Sequence, residues 1–160
     1  MDYRQPATSR EDVVALARAI ATKAHQGQTD KLGAAYIGHP ARVAEHARRL
    51  GGDEFAVAAA WLHDVIEDCE VSAADLTAAG IPREVCEAVA LLSKRPGQSL
   101  EEYCTGVKAN ELALLVKRAD LADNTDPERT GLLPEHTRAR LAAKYARTAQ
   151  LLGIPGARGH

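Results

Sequence analysis

Trp61-Leu62-His63-Asp64-Val65-Ile66-Glu67-Asp68-Cys69 is the stretch on which the reading of this chain turns. Five of its nine residues are apolar, and among them stand four groups that can bind a metal or move a proton. On a continuous helix His63 and Glu67 share one face, and Asp64 and Asp68 share a neighbouring face about 100° round the axis. Such an edge presents an imidazole and three carboxylates. Burying it without a counter-charge is very costly, and a divalent cation is one remedy. The plainer alternative is an ordinary helical His-Asp pair followed by a solvated last turn. Further ligands must therefore come from other segments, because one helix face cannot surround an ion.

The rest of the chain reads as helices. Its 160 residues suffice for one domain with a core. Hydrophobic residues make up 46% and aromatic residues only 4%, which suits small side chains between closely packed helices. Ser9 caps a helix carrying Val13, Leu16, Ala17, Ile20, Ala21 and Ala24 at helical spacing, fading at Gly27. Gln28 to Gly38 reads as a loop. His39-Pro40 opens a second helix that ends at Gly51-Gly52. Asp53 caps a third, expected to run unbroken from about Glu54 to Asp68. Shorter helices follow over Ser72 to Ala79, Pro82 to Ser93 and Ser99 to about Ala109. Glu111 to Asn124 and Glu135 to about Leu152 are the last two. No hairpin signal, repeat or low-complexity segment interrupts this pattern. The expectation is one all-α domain of about seven to nine helices over residues 1–153, with 154–160 as a frayed tail.

A net charge of -2 and a pI near 6.3 give no electrostatic footprint for a nucleic-acid polymer. No run of 18 apolar residues is present, and the amino terminus lacks the apolar stretch of a signal peptide. Cys69, Cys86 and Cys104 are too widely spaced for a CxxC site and odd in number, so they are expected as free thiols. A cytoplasmic protein with no membrane segment is the expectation. Alanine-rich helix faces are compatible with a homodimer without specifying one.

Two places offer the missing ligands. His39 stands where a loop enters a helix, and Asp120 interrupts the apolar helix around Val116, with Asn124 one turn on. The order His39 … His63-Asp64 … Asp120 resembles the H…HD…D pattern of the HD-domain metal-dependent phosphohydrolases. The nearer resemblance is to the hydrolase domain of the RelA/SpoT guanosine-tetraphosphate enzymes and their small stand-alone relatives. Ala24-His25-Gln26-Gly27-Gln28 with Lys31, Gly33 and Tyr36-Ile37-Gly38-His39-Pro40 is similar to that family's first block. Leu62 to Asp68 is similar to its second, and Val116-Lys117-Arg118-Ala119-Asp120 … Asn124 to its third.

The resemblance implies a compact HD-type helical bundle and one divalent metal on His39, His63, Asp64 and Asp120. Manganese is the first expectation, and the donors would also suit Zn, Fe, Ni or Co. It implies that Glu67 and Asp68 position or deprotonate a water activated at the metal, Glu67 being expected to take the proton and Asp68 to orient the water or help. It also implies that Lys31 and Asn124 meet the substrate. Lys117, Arg140, Lys144 and Arg147 are further candidates for phosphate contacts, and Tyr145 for stacking on a base or ribose. The implied function is hydrolysis of a nucleotide or another small phosphate ester. Removal of the 3′-pyrophosphate of a guanosine alarmone is one alternative, and a non-catalytic metal and nucleotide-binding module is another. Alarmone synthesis is not expected from a chain too short for an added synthetase domain. The chain also departs from the family. Asp30 stands where a guanine-stacking arginine is usual, Ala35 replaces a proline, Cys69 a threonine, and Leu121 and Asp123 an arginine and a histidine. The metal set is intact and the base-recognition set is not.

Overall fold

The computed structural model describes residues 9–154. The tail expected at 154–160 lies outside them but for its first residue. The order is α1 (Arg10–Ala24), α2 (Gly38–Arg49), α3 (Glu54–Leu62), α4 (Val65–Asp68), α5 (Ala73–Ala79), α6 (Arg83–Leu91), α7 (Leu100–Lys108), α8 (Glu111–Asn124), α9 (Pro127–Thr130) and α10 (Glu135–Leu152). Among the described residues there is no strand, only an isolated bridge between Thr29 and Ala35. Helix starts follow local chemistry. Ser9, Asp53 and Asn110 each accept a backbone N–H of the first turn, and Ser72 and Ser99 form reciprocal capping boxes with Asp75 and Glu102.

The middle of the molecule is α3. Ala56, Val57, Ala58, Ala59, Ala60 and Leu62 are all buried, so this helix is enclosed on every side. It packs against α1, α2, α6 and α8. Alanines let the neighbouring backbones come close, and Val43, Val85, Val89, Val107 and Val116 fill the spaces between them. This arrangement brings α2 and α8, which also pack against each other, to α3, at whose carboxyl end His63 emerges.

The unbroken helix expected from Glu54 to Asp68 is not formed. α3 stops at Leu62 and α4 restarts at Val65. The His63 ring causes the break. Its Nδ1 donates to the Ala60 carbonyl at 2.7 Å, occupying the acceptor that a continuing helix would offer to Asp64. Asp64 settles at φ -105°, ψ -1°, off the ideal helix. The interruption turns His63 inward and leaves Glu67 and Asp68 exposed at a rim.

The loop between α1 and α2 is more ordered than its glycines suggest. Asp30 Oδ1 accepts the Leu32 and Ala34 N–H groups at 2.9 and 3.0 Å. The Asp30 N–H donates to Ala34 O, and Gly33 adopts φ +85°, a turn conformation that L side chains rarely take. Gln28 ties this loop to α4, donating from Nε2 to the Asp68 carbonyl at 3.4 Å.

Gly52 marks the tightest approach around α3. A Cβ there would lie 2.8 Å from Ala56 Cβ, 2.9 Å from Ala47 O and 3.1 Å from Leu115 Cδ2. Gly52→Ala is therefore expected to destabilise the fold by about 1–3 kcal/mol through overpacking. Urea denaturation monitored by helix ellipticity measures it, and an unchanged midpoint would refute this account of the α2–α3 corner.

Candidate metal centre

Three separate segments deliver the central groups. His39 sits in the first turn of α2, His63 at the end of α3, and Asp120 two-thirds along α8. One ligand atom from each lies within 4.8 Å of the other two, and all three residues are buried. His39 Nε2 is 3.0 Å from Asp120 Oδ1, and His63 Nε2 is 3.4 Å from the same oxygen. Asp64 joins at the edge. Its Oδ2 lies 3.1 Å from His63 Nε2 and 3.7 Å from His39 Nε2, and it accepts the Tyr36 hydroxyl.

The tautomers follow from the outer partners. His39 Nδ1 donates to Asp123 Oδ2 at 2.7 Å, and His63 Nδ1 donates to a carbonyl. Both imidazoles thus present Nε2 to the same carboxylates. His63 Nε2 is buried and lacks a hydrogen-bond partner of good geometry, although two carboxylate oxygens stand close to it. A neutral nitrogen lone pair aimed at anionic oxygens is repulsive unless a proton or a metal cation stands between them. Two imidazole nitrogens and carboxylate oxygens are the donors that borderline divalent metals take, so the residues fit a metal.

Electrostatics agree. Burial opposes charge on His63, but Asp64 and Asp120 overcome it and raise its pKa well above the usual value. Burial likewise opposes the raised pKa of His39, against Asp120 and Asp123. Asp64 is held down to about 2 despite burial, chiefly by His63. Asp120 lies well below its usual value despite burial, because Lys117 and the two imidazoles favour its charge. Lys117 Nζ donates to Asp120 Oδ2 at 2.9 Å, so this oxygen is occupied and Oδ1 faces the histidines. Asn124 Nδ2 donates to Oδ1 at 3.1 Å. Asp68 is raised by burial and by the neighbouring Asp64 and Glu67 charges.

A cavity of about 470 Å³ opens above these groups, within the range of small-molecule sites. Glu67, Asp68, Lys31, Asn124, Lys144 and Tyr145, all anticipated from the sequence, line it together with the four central residues. Lys117 lines it too, but its ammonium is committed to Asp120. Arg140 is exposed and is not among the cavity walls, and Arg147 is paired with Glu101 at 2.7 Å, so neither has the cavity-lining position expected for a phosphate contact.

Three participants escaped sequence reasoning. Asp123, only 1% exposed, fixes His39 and accepts Arg42 Nε at 2.7 Å. The available signal was its place three residues after Asp120 on α8, facing the same side. Lys94 holds Glu67 through its backbone N–H at 2.9 Å and lines the cavity. Arg129 reaches the cavity from α9, a turn that nothing in the hydrophobic pattern announces.

Residues 17–99 match the model of the HD domain, and the chain belongs to the HD-domain family. Among curated proteins it is similar to the guanosine-3′,5′-bis(diphosphate) 3′-pyrophosphohydrolase of Vibrio cholerae serotype O1. The two are 36% identical over 147 residues, which cover 84% of this chain and 21% of that protein. It is 35% identical to the protein of the same name from Haemophilus influenzae, over 84% of this chain and 22% of that one. The chain spans about a fifth of the length of these relatives. Among solved structures, a metazoan ortholog of SpoT, described as hydrolysing ppGpp and acting in starvation responses, superposes with a TM-score of 0.75. The match covers 98% of this chain and 93% of that one at 19% identity, a likeness in fold.

Because the carboxylates raise the histidine pKa values, protons compete with a cation for the same nitrogens. Mn²⁺ binding is expected to release protons and to tighten from about pH 6 to about pH 8. Calorimetry in buffers of different ionisation enthalpy measures this. In the metal-free protein the raised values contribute stability that is full below the unfolded imidazole value of about 6.5 and is lost as pH rises through the folded values. Its melting temperature is therefore expected to fall over the range in which added Mn²⁺ raises it. Parallel pH trends with and without metal would contradict the assignment.

Proposed function

We infer that this protein is a divalent-metal-dependent phosphohydrolase acting on a nucleotide or related small phosphate ester. One observation carries the reading: nitrogen and oxygen donors from α2, the end of α3 and α8 converge beneath a cavity whose walls include lysines with no carboxylate partner among the described residues. His39, His63, Asp64 and Asp120 hold the metal in this proposal, with manganese the first candidate. Such a metal supplies Lewis-acid polarisation of a phosphoryl oxygen and a lowered pKa for a coordinated water.

The chain's own groups do the rest. Asp68 is raised by burial and by adjacent carboxylates, and its side chain makes no hydrogen bond among the described residues, so it is the better-placed proton acceptor. Glu67 has one oxygen fixed by Lys94 N–H, which leaves the other to orient the attacking water. Lys31, Lys94 and Lys144 supply positive charge to phosphoryl oxygens as charge builds in the transition state. Asn124 extends the polar floor beside Asp120. Tyr36 holds Asp64 so that this carboxylate keeps its orientation toward the imidazoles.

The relatives' names make guanosine 3′,5′-bis(diphosphate) the first compound to test, beside other nucleotides of one to three phosphates and p-nitrophenyl phosphate. With Mn²⁺ present, the wild type is expected to release phosphate or pyrophosphate from at least one member. Asp68→Asn is expected to lower kcat by about 10²–10⁴-fold. Glu67→Gln, which keeps the contact to Lys94, is expected to lose less. Asp120→Asn is expected to lower metal stoichiometry and activity together while helix ellipticity stays unchanged. Metal at full occupancy in that variant would sink the ligand assignment. Metal and nucleotide binding without turnover by the wild type would make the protein a binding module instead.

A further inference from the structure

The cations of the cavity differ in how their charge is balanced. Lys31, Lys94 and Lys144 line it, and among the described residues none is ion-paired with a carboxylate. Arg129 stands between two. Its Nη2 is 3.8 Å from Asp30 Oδ2 and its Nε is 3.9 Å from Asp123 Oδ2, with the side chain 28% exposed. Both separations balance its charge, yet both exceed hydrogen-bond length, so the N–H fork is unspent.

The two carboxylates are themselves fixed. Asp30 is held by the Leu32 and Ala34 N–H groups, and Asp123 by His39 and Arg42. An arginine already neutralised on two sides draws a phosphate weakly. Its plane can still stack on an aromatic ring, and its fork can still meet carbonyl and ring-nitrogen acceptors. The same cavity also has apolar walls. Leu133, whose N–H donates to Thr130 O at 3.0 Å, lines the same cavity as Leu141 and Tyr145 of α10. A planar guanidinium and apolar side chains lining one cavity are the elements that a heterocycle needs for binding.

We propose that Arg129, steadied by Asp30, is the residue that recognises the base of the substrate, while the unpaired lysines take its phosphates. This rests on the reading of the cavity as a nucleotide site. It also gives Asp30 a purpose: the carboxylate directs an arginine that arrives from α9.

The test is calorimetric binding of GDP and of inorganic pyrophosphate to the full manganese-loaded chain, for the wild type, Arg129→Ala and Arg129→Lys. The GDP base offers the O6 and N7 acceptors that suit an arginine fork. Both variants are expected to bind GDP about tenfold more weakly, with pyrophosphate affinity within about twofold of wild type. Recovery of GDP affinity by lysine would show that charge alone matters and would overturn the proposal. So would an equal loss for pyrophosphate, unchanged GDP binding in Arg129→Ala, or no GDP binding by the wild type. If the expected binding pattern holds but the wild type hydrolyses no compound of the panel, the catalytic reading fails and the assignment of Arg129 stands.

Discussion

Mutual repulsion among buried carboxylates is the constraint to which this structure answers. Asp120, Asp64 and Asp123 lie within a few side chains of one another beside two imidazoles, in a region largely closed to water. Uncompensated, that arrangement would cost more than the helices around it could supply. The protein divides the compensation. Lys117 takes one oxygen of Asp120, Arg42 takes one of Asp123, and the Tyr36 hydroxyl takes Asp64. What remains are the atoms that face each other at the centre, His39 Nε2, His63 Nε2 and Asp120 Oδ1. Without metal they are reconciled by protonating the imidazoles, and the raised histidine pKa values express that pull.

The scaffold explains how such a cluster is held. α3 is enclosed on all sides, and its alanines allow α2 and α8, themselves packed together, to approach it closely. The His63 ring then ends the helix by taking the Ala60 carbonyl for itself. One hydrogen bond therefore does two things: it sets the tautomer and it redirects the chain toward Glu67 and Asp68. Rigid helices place the central donors, whereas the single turns α4 and α9 and the α1–α2 loop form the rim. This division leaves the cavity-facing rim to loops and single turns while the buried donors stay where the core puts them.

The departures from the RelA/SpoT pattern acquire physical content in this frame. Asp123 replaces a histidine, but it is the buried carboxylate that orients His39. Asp30 replaces an arginine, and its carboxylate organises the loop hairpin and faces Arg129. Cys69, in place of a threonine, lies 3.5 Å from both His25 Nδ1 and Gln28 Nε2, against the loop that carries Asp30.

Helical periodicity, capping residues and, for α2, α6 and α10, a proline at the start located every helix of seven residues or more among the described residues, because these signals are local. The order of His39, His63-Asp64 and Asp120 pointed to a shared centre through its resemblance to the H…HD…D pattern, since each of these residues alone has an ordinary structural reading. Local patterning could not show the break at His63, which depends on a side chain competing with its own backbone. Nor could it show that Lys117 is spent on Asp120, that Arg147 belongs to Glu101, or that Arg129 meets Asp30 across nearly a hundred residues of chain. Partnership between charges is decided by distance in space, and only the packing of helices against one another sets that distance.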